Sequence, residues 1–183
     1  MNFTNNKRLF KETSRVLVLG GINEDNTTSI IADILDINEL DKKIKAEKRE
    51  PIKLIISSEG GEVYRGFGII DVINDSITPI HTICYGLAMS MAFPILISGH
   101  YRYASKNTTI MYHDLSYDIG NVKLTEHKLE VKEGERICKI YDNIIINNTD
   151  ITLKHLNKYK KSKSEWYINS EEALKLKIID EIL

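Results

Sequence analysis

Cysteine is scarce in this sequence: only Cys84 and Cys138 occur among 183 residues. Each sits in an apolar setting, which suits a buried thiol in a reducing compartment and excludes a disulfide framework or a cysteine-built metal site. An excess of charge is equally absent. The 25 Lys and Arg face 26 Asp and Glu, a formal net charge of -1, so no overall electrostatic attraction to nucleic acid exists. Long apolar runs are missing too. None reaches the roughly 18 residues of a membrane span, and the opening MNFTNNKRLFKETSR lacks the apolar centre of a signal peptide. Internal repeats and low-complexity stretches are lacking. What is present is a 42% hydrophobic fraction, enough to exclude general disorder. The expectation is one soluble, cytoplasmic domain over 1–183, with no nucleic-acid or membrane partner.

The apolar residues that are there fall into short runs. VLVLGGI at 16–22 reads as a buried strand closed by glycines, and 23–48 as a helix with Ile30, Ile31, Ile34, Leu35, Ile37 and Leu40 towards a core. IKLIIS at 52–57 is a second buried strand, so the chain begins β-α-β. A tight SSEGGE turn follows, then a helix over 65–76, a strand IHTICY at 80–85, a helix from near Ala88, and strands at 101–105 and 108–113. Short apolar strands separated by helices favour a mostly parallel, helix-covered sheet. From Lys123 to about Asn147 the pattern is long and charged, with an interrupted stripe of Leu129, Ile137, Ile140, Tyr141, Ile144 and Ile145. Gly134 marks a bend in that stretch. Such a helix is fitted to project and pack against a neighbour. The lysines of KHLNKYKKSKSEW, 154–166, read as a solvated surface, since aromatic stacking platforms are sparse. NSEEALKLKIIDEIL, 169–183, opens on a helix N-cap and closes on an apolar segment that docks.

Two local features bear on chemistry. Gly60-Gly61 follows a strand, where a turn into a helix needs positive φ or close backbone approach, but the glycine spacing and Lys-Ser/Thr ending of a phosphate loop are missing. In ICYGLAMSMAF, 83–93, Ser90 interrupts an apolar run. It is either a helix serine bonded to its own preceding turn or a hydroxyl near the start of a helix, close to free backbone donors. The flanking Met89 and Met91 exclude a G-x-S-x-G elbow. Among His81, His100, His113, His127 and His155, only His113 ends an apolar strand at its C-terminal edge, where α/β folds gather ligands.

Taken in order, RVLVLGGINED, LIISSEGGEVYRGFGIIDVI, HTICYGLAMSMAF, TTIMYHD and EWYINSEEALKLKIIDEI give the chain a resemblance to the Clp protease proteolytic subunit family, from about Leu9 to Leu183. That resemblance implies an α/β fold, the crotonase-like type of repeated β-α-β units with a protruding handle helix at about 115–150. It implies an ATP-dependent serine endopeptidase in which Ser90 is the nucleophile, His113 the general base and Glu165 the acidic third member. The backbone N–H groups of Gly61 and Met91 would be the oxyanion donors. No metal or cofactor is implied. ATP would be used only by a partner AAA+ unfoldase, which feeds unfolded polypeptides into a chamber of stacked seven-membered rings.

Four departures from the family pattern stand out. Glu59 and Glu62 flank the glycines where the family has a Pro-Gly-Gly-Ser-like turn. Met89, Ala92 and Phe93 replace small residues and would crowd the pocket. A glycine-rich substrate strand is reduced to SYDIGNV. Glu165 is one methylene longer than the family's aspartate. The last departure motivates an alternative, a non-catalytic Clp-like subunit that completes or regulates a mixed ring. An acyl-CoA enzyme of the related crotonase type is a third reading, opposed by the Ser90 and His113 pair.

Overall fold

The computed structural model describes residues 14–116 and 123–183. The N-terminal stretch and most of SYDIGNV lie outside those residues. Strands β1 (Val16–Leu19), β2 (Ile52–Ser58), β3 (Ile80–Met89), β4 (Tyr101–Ala104), β5 (Thr109–Tyr112), β6 (Trp166–Asn169) and β7 (Glu181–Ile182) form one sheet. Its main path runs β1-β2-β3-β4-β7, with β5 pairing to β3 and β6 to β5. Every pairing is parallel except β5 with β6. Helices α1 (Glu24–Asp41) and α2 (Val63–Asn74) supply the crossovers of two successive β-α-β units, the arrangement that alternating short strands and helices favour.

The N-terminal unit shows how periodicity becomes packing. On α1 the buried residues are Thr27, Ile30, Ile34, Ile37 and Asp41, one face of a 3.6-residue period. Leu35 and Leu40 fall off that face and stay half-exposed. Asp41 ends the apolar stripe with its side chain fully buried, because Arg15 donates two hydrogen bonds to its carboxylate at 2.9 and 2.7 Å and Thr78 donates a third at 2.6 Å. The helix stops there, and a short 3-10 turn, Ala46–Lys48, takes the place of the expected last helical turns. β1 is an edge strand rather than a buried one: Leu17 and Leu19 face the core, while Val16 and Val18 face out.

The middle of the chain departs most from expectation. β3 does not give way to a helix at Ala88; it continues to Met89. Its first half pairs with β4 through His81–Cys84, and its second half with β5 through Leu87–Met89. Between the halves, the register with β2 shifts from Ile56 opposite Cys84 to Ser58 opposite Ala88. Gly86, at φ +80°, sits in this irregularity, and a glycine is the residue that adopts such a φ without a steric cost. The helix, α3 (Ala92–Ile97), begins only at Ala92 and is buried on every side. A helix that is apolar all round belongs in a core, and Pro94 is tolerated because it lies in the first turn.

Two helices cover the far edge. α4 (Leu124–Asn148) runs 25 residues as one helix through Gly134, without the interruption the sequence led us to expect. Its C-terminal half packs inward through Tyr141 and Ile145, while Leu129 and Val131 in the N-terminal half are exposed. α5 (Leu153–Ser162) follows, and then β6. The C-terminal segment is a single short helix, α6 (Ser170–Lys175), capped by the Asn169 side chain, and then β7 on the outer side of β4.

Candidate active site

Ser90 stands between the end of β3 and the start of α3, with φ +51°. A left-handed serine costs of order 1–3 kcal/mol and persists only where its surroundings impose it. Here they do so from three sides. Ser90 N–H donates to the Met111 carbonyl at 3.0 Å, and the Ser90 carbonyl accepts from Phe93 N–H at 3.0 Å and from the Tyr141 hydroxyl at 3.1 Å. The Met91 side chain, fully buried, lies against Gly66 of α2, where an added Cβ would come within 2.3 Å of Met91 Cγ. The polypeptide therefore turns sharply at Ser90 and plunges into the core immediately afterwards.

The Gly60-Gly61 turn abuts this segment. Ile22 N–H donates to the Gly60 carbonyl at 3.0 Å, and Glu62 N–H to the Ile22 carbonyl at 2.9 Å. Both glycines have positive φ, +106° and +145°. A Cβ on Gly60 would meet Ser90 Cβ at 2.8 Å, and one on Gly61 would meet the Ile22 carbonyl oxygen at 2.3 Å. Close approach as well as φ thus requires glycine here. The N–H groups of Gly61 and Met91 have no hydrogen-bond partner among the described residues. Of the acidic neighbours, Glu62 accepts from Arg65 at 3.1 Å, so its charge is answered locally. Phe93 and Ala92 are fully buried, and Met89 is half-buried beside Ser90.

His113 follows β5 directly. Since Met111 lies beside Met89 in the sheet, the end of β5 is carried to the end of β3, and His113 Nε2 lies 2.8 Å from Ser90 Oγ. The other ring nitrogen, Nδ1, is 2.6 Å from the carbonyl oxygen of Asp114. A carbonyl only accepts, so Nδ1 carries the proton, and Nε2 of the neutral ring accepts from the Ser90 hydroxyl. A hydroxyl held on an imidazole lone pair, beside two unpartnered N–H groups, is an arrangement suited to moving a proton off an attacking oxygen. The other histidines lie elsewhere. His81 packs against Tyr101 and Tyr103, and its burial, with His100 and Lys53 nearby, lowers its basicity. His100 Nδ1 accepts from Ile80 N–H, His155 caps α5 beside Trp166, and His127 is exposed on α4.

Glu165 precedes β6. The antiparallel register ends with Tyr112 opposite Trp166, and His113 and Glu165 are the residues that leave the two strands there, with no hydrogen bond between them among the described residues. The Glu165 carboxylate accepts from the Tyr167 hydroxyl, and this bond raises the tyrosine's pKa. The acceptor on His113 Nδ1 is the Asp114 carbonyl. Neither Tyr141 at the Ser90 carbonyl nor the Asp114 carbonyl was legible as part of the site. Tyr141 read as one more member of an apolar stripe, and a backbone acceptor leaves no mark on residue type.

Cys84 is buried, its thiol pushed up to about 12 by burial, and Cys138 is half-buried; both are free thiols. Among the described residues no cluster of His, Cys, Asp and Glu could hold a metal ion, and no helix is long and apolar enough to cross a membrane.

Comparison with known proteins agrees with this architecture. Residues 2–183 match the family model described as Clp protease. A protein of Deinococcus radiodurans named ATP-dependent Clp protease proteolytic subunit is 29% identical over 180 residues, spanning 96% of this chain and 82% of that protein.

Proposed function

The chain belongs to the Clp protease family, and from that premise we propose that it is a serine endopeptidase whose reacting pair is Ser90 and His113. The observation that carries the reading is the 2.8 Å contact from Ser90 Oγ to His113 Nε2 at a strained turn beside two unpartnered backbone donors. As Ser90 Oγ attacks a peptide carbonyl, His113 Nε2 takes its proton and then returns it to the leaving amine. Water, deprotonated by the same nitrogen, then attacks the acyl carbonyl, the bond to Ser90 Oγ breaks, and the imidazolium returns that proton to Oγ. The Gly61 and Met91 N–H groups stabilise the oxyanion, each worth about 3 kcal/mol in the transition state. The Asp114 carbonyl keeps Nδ1 protonated. Glu165, the acidic third member that the family resemblance implies, has its carboxylate on the Tyr167 hydroxyl rather than on His113, so its part in this reading is at most a nearby negative charge.

The biological setting follows from the family: subunits packed through the exposed half of α4 into stacked rings in the cytoplasm, with an AAA+ unfoldase spending ATP to deliver unfolded polypeptide. The peptidase chemistry itself uses no cofactor. One observation favours the alternative of a non-catalytic ring subunit, the engagement of the Glu165 carboxylate by Tyr167. Peptide hydrolysis by the assembled particle, with and without an unfoldase, decides between them. Turnover abolished by Ser90→Ala supports the peptidase; a stable particle with neither turnover nor fluorophosphonate labelling supports the alternative.

A further inference from the structure

After Tyr112 the chain leaves the sheet, and residues 113–116 belong to no strand or helix. No ladder fixes the Asp114 carbonyl, yet that carbonyl holds His113 Nδ1 at 2.6 Å. Its surroundings supply the restraint. The Asp114 carboxylate accepts from Leu115 N–H at 3.1 Å and faces the Lys160 ammonium at 3.7 Å. Lys160, on α5, donates to Asp142 Oδ2 on α4 at 2.6 Å, and Asp142 Oδ1 accepts from the Tyr112 hydroxyl at 3.3 Å. One half-buried ion pair thus joins α4, α5 and the end of β5 beside the segment that carries the histidine.

The Lys160 and Asp142 side chains are only 21% and 11% exposed, whereas Asp114, 3.7 Å from the same ammonium, is 51% exposed, so any restraint on it comes through the anchored Lys160. An exposed pair of this kind contributes about 0–1 kcal/mol and holds little in place; a shielded one is screened less and restrains its neighbours more. Burial opposes the charge on Lys160 most strongly, but the hydrogen bond to Asp142 and the negative charges of Asp142 and Asp114 together outweigh it, and the ammonium's pKa is raised. Tyr112 is fully buried, so the anchor for Asp142 is itself immobile.

We infer that Lys160 is a positioning residue for His113: anchored on Asp142, it holds Asp114 so that the Asp114 carbonyl fixes the tautomer and ring orientation of the imidazole. The inference rests on the reading of Ser90 and His113 as the reacting pair. Misplacing a reacting group by about 1 Å costs up to roughly a hundredfold in rate, and a loosened but not abolished hold on the ring falls short of that. An open cavity of about 540 Å³ lined in part by Asp114, Cys138, Asp142 and Lys160 leaves room for a longer cation at the same place.

The test compares Lys160→Met, Lys160→Arg and the double variant Lys160→Met/Asp142→Asn, which leaves no buried carboxylate unpaired, Asp114 being half-exposed, and so guards against simple misfolding. The full-length assembled protein is reacted with a fluorophosphonate to give the acylation rate of Ser90, and assayed on a short peptide for kcat and KM. Lys160→Met and the double variant should each acylate about tenfold more slowly with kcat lowered to match and KM within about twofold, whereas Lys160→Arg should recover to within about threefold of wild type. Wild-type acylation in Lys160→Met or the double variant overturns the inference, as does an equal loss in Lys160→Arg. A wild-type protein that is not labelled at Ser90 removes the reading of the reacting pair and this inference with it; labelled wild type with an unaffected Lys160→Met removes the inference alone.

Discussion

Asp41 and Asp142 are both shielded carboxylates beside a cation. Asp41 closes the apolar face of α1, wholly buried, with a bidentate guanidinium from Arg15 and a hydroxyl from Thr78. Asp142 sits on α4, slightly exposed, with the Lys160 ammonium and the Tyr112 hydroxyl. Their chemistry is similar and their placement is not. The first ties β1, α1 and the start of β3, far from Ser90. The second ties α4, α5 and β5, next to His113. A buried pair secures whatever it joins, so one should govern stability and the other the geometry of the site.

The largest effect is expected where the comparison is sharpest. Asp41→Asn leaves Arg15 without its bidentate partner, and removing one member of a buried pair costs about 3 kcal/mol or more, roughly a hundredfold in the folding equilibrium. Urea unfolding would measure it, and kcat per folded active site should not change. The pH dependence has a definite sign. The hydrogen bonds from Arg15 hold the Asp41 carboxyl below its ordinary value, against the opposing effect of burial, so its stabilisation is complete above the unfolded pKa of about 3.9 and is lost as pH falls through the lower folded value. Wild type should lose stability below about pH 4, and Asp41→Asn should lack that part of the slope.

Lys160→Met should invert the pattern. Lys160 and Asp142 are 21% and 11% exposed, so the stability loss should lie between the about 1 kcal/mol of an exposed pair and the about 3 kcal/mol of a fully buried one, less than for Asp41→Asn, while activity falls about tenfold through misplacement of the histidine. A thermal melt beside the peptide assay reads both. Equal ratios of stability loss to activity loss in the two variants would break the comparison.

Next in size is assembly through α4. Ile144 packs against the core of its own chain, so a charge there probes folding. Leu129, 68% exposed, is the better probe of a contact between subunits. Leu129→Asp should shift the sedimentation profile towards smaller species with the circular dichroism spectrum unchanged, because desolvating a charge opposes a packed contact.

The smallest effect is expected for Glu165→Gln. With the Asp114 carbonyl on Nδ1 and the Glu165 carboxylate on Tyr167, loss of the charge should lower kcat/KM about threefold, far below the roughly ten-thousandfold typical of a hydrogen-bonded triad aspartate. A fall of that larger size, measured on peptide hydrolysis between pH 6 and 9, would mean that the carboxylate leaves Tyr167 and takes over Nδ1 in the working enzyme.

The two ion pairs also mark how far a single sequence can be read. The strands β1 and β2 and the helices α1 and α2 were legible because apolar spacing reports burial locally. Asp41 lies on the buried face of α1 but was no part of the apolar stripe read from the sequence, because its partners are 26 and 37 residues away and no periodicity announces them. β3 was read short because LAMSMAF is apolar at every spacing, and only the pairing of Leu87–Met89 with β5 makes it strand. β6 went unseen as a strand for the same reason, its partner lying more than 50 residues upstream. Ser90 and His113 were drawn together by family resemblance; residue spacing alone left Ser90 open to an ordinary helical role. The acceptor on Nδ1, a backbone carbonyl, and its tether through Lys160 came only from the fold.

The peptidase proposal stands on His113 making Ser90 nucleophilic. The most direct measurement is mass spectrometry of the fluorophosphonate adduct on the assembled wild-type protein, Ser90→Ala and His113→Ala. A single adduct on the peptide containing Ser90, absent from Ser90→Ala and formed at least a hundredfold more slowly in His113→Ala, is the expected result. An adduct that persists in Ser90→Ala, or equal rates in wild type and His113→Ala, would mean that Ser90 and His113 are not the reacting pair.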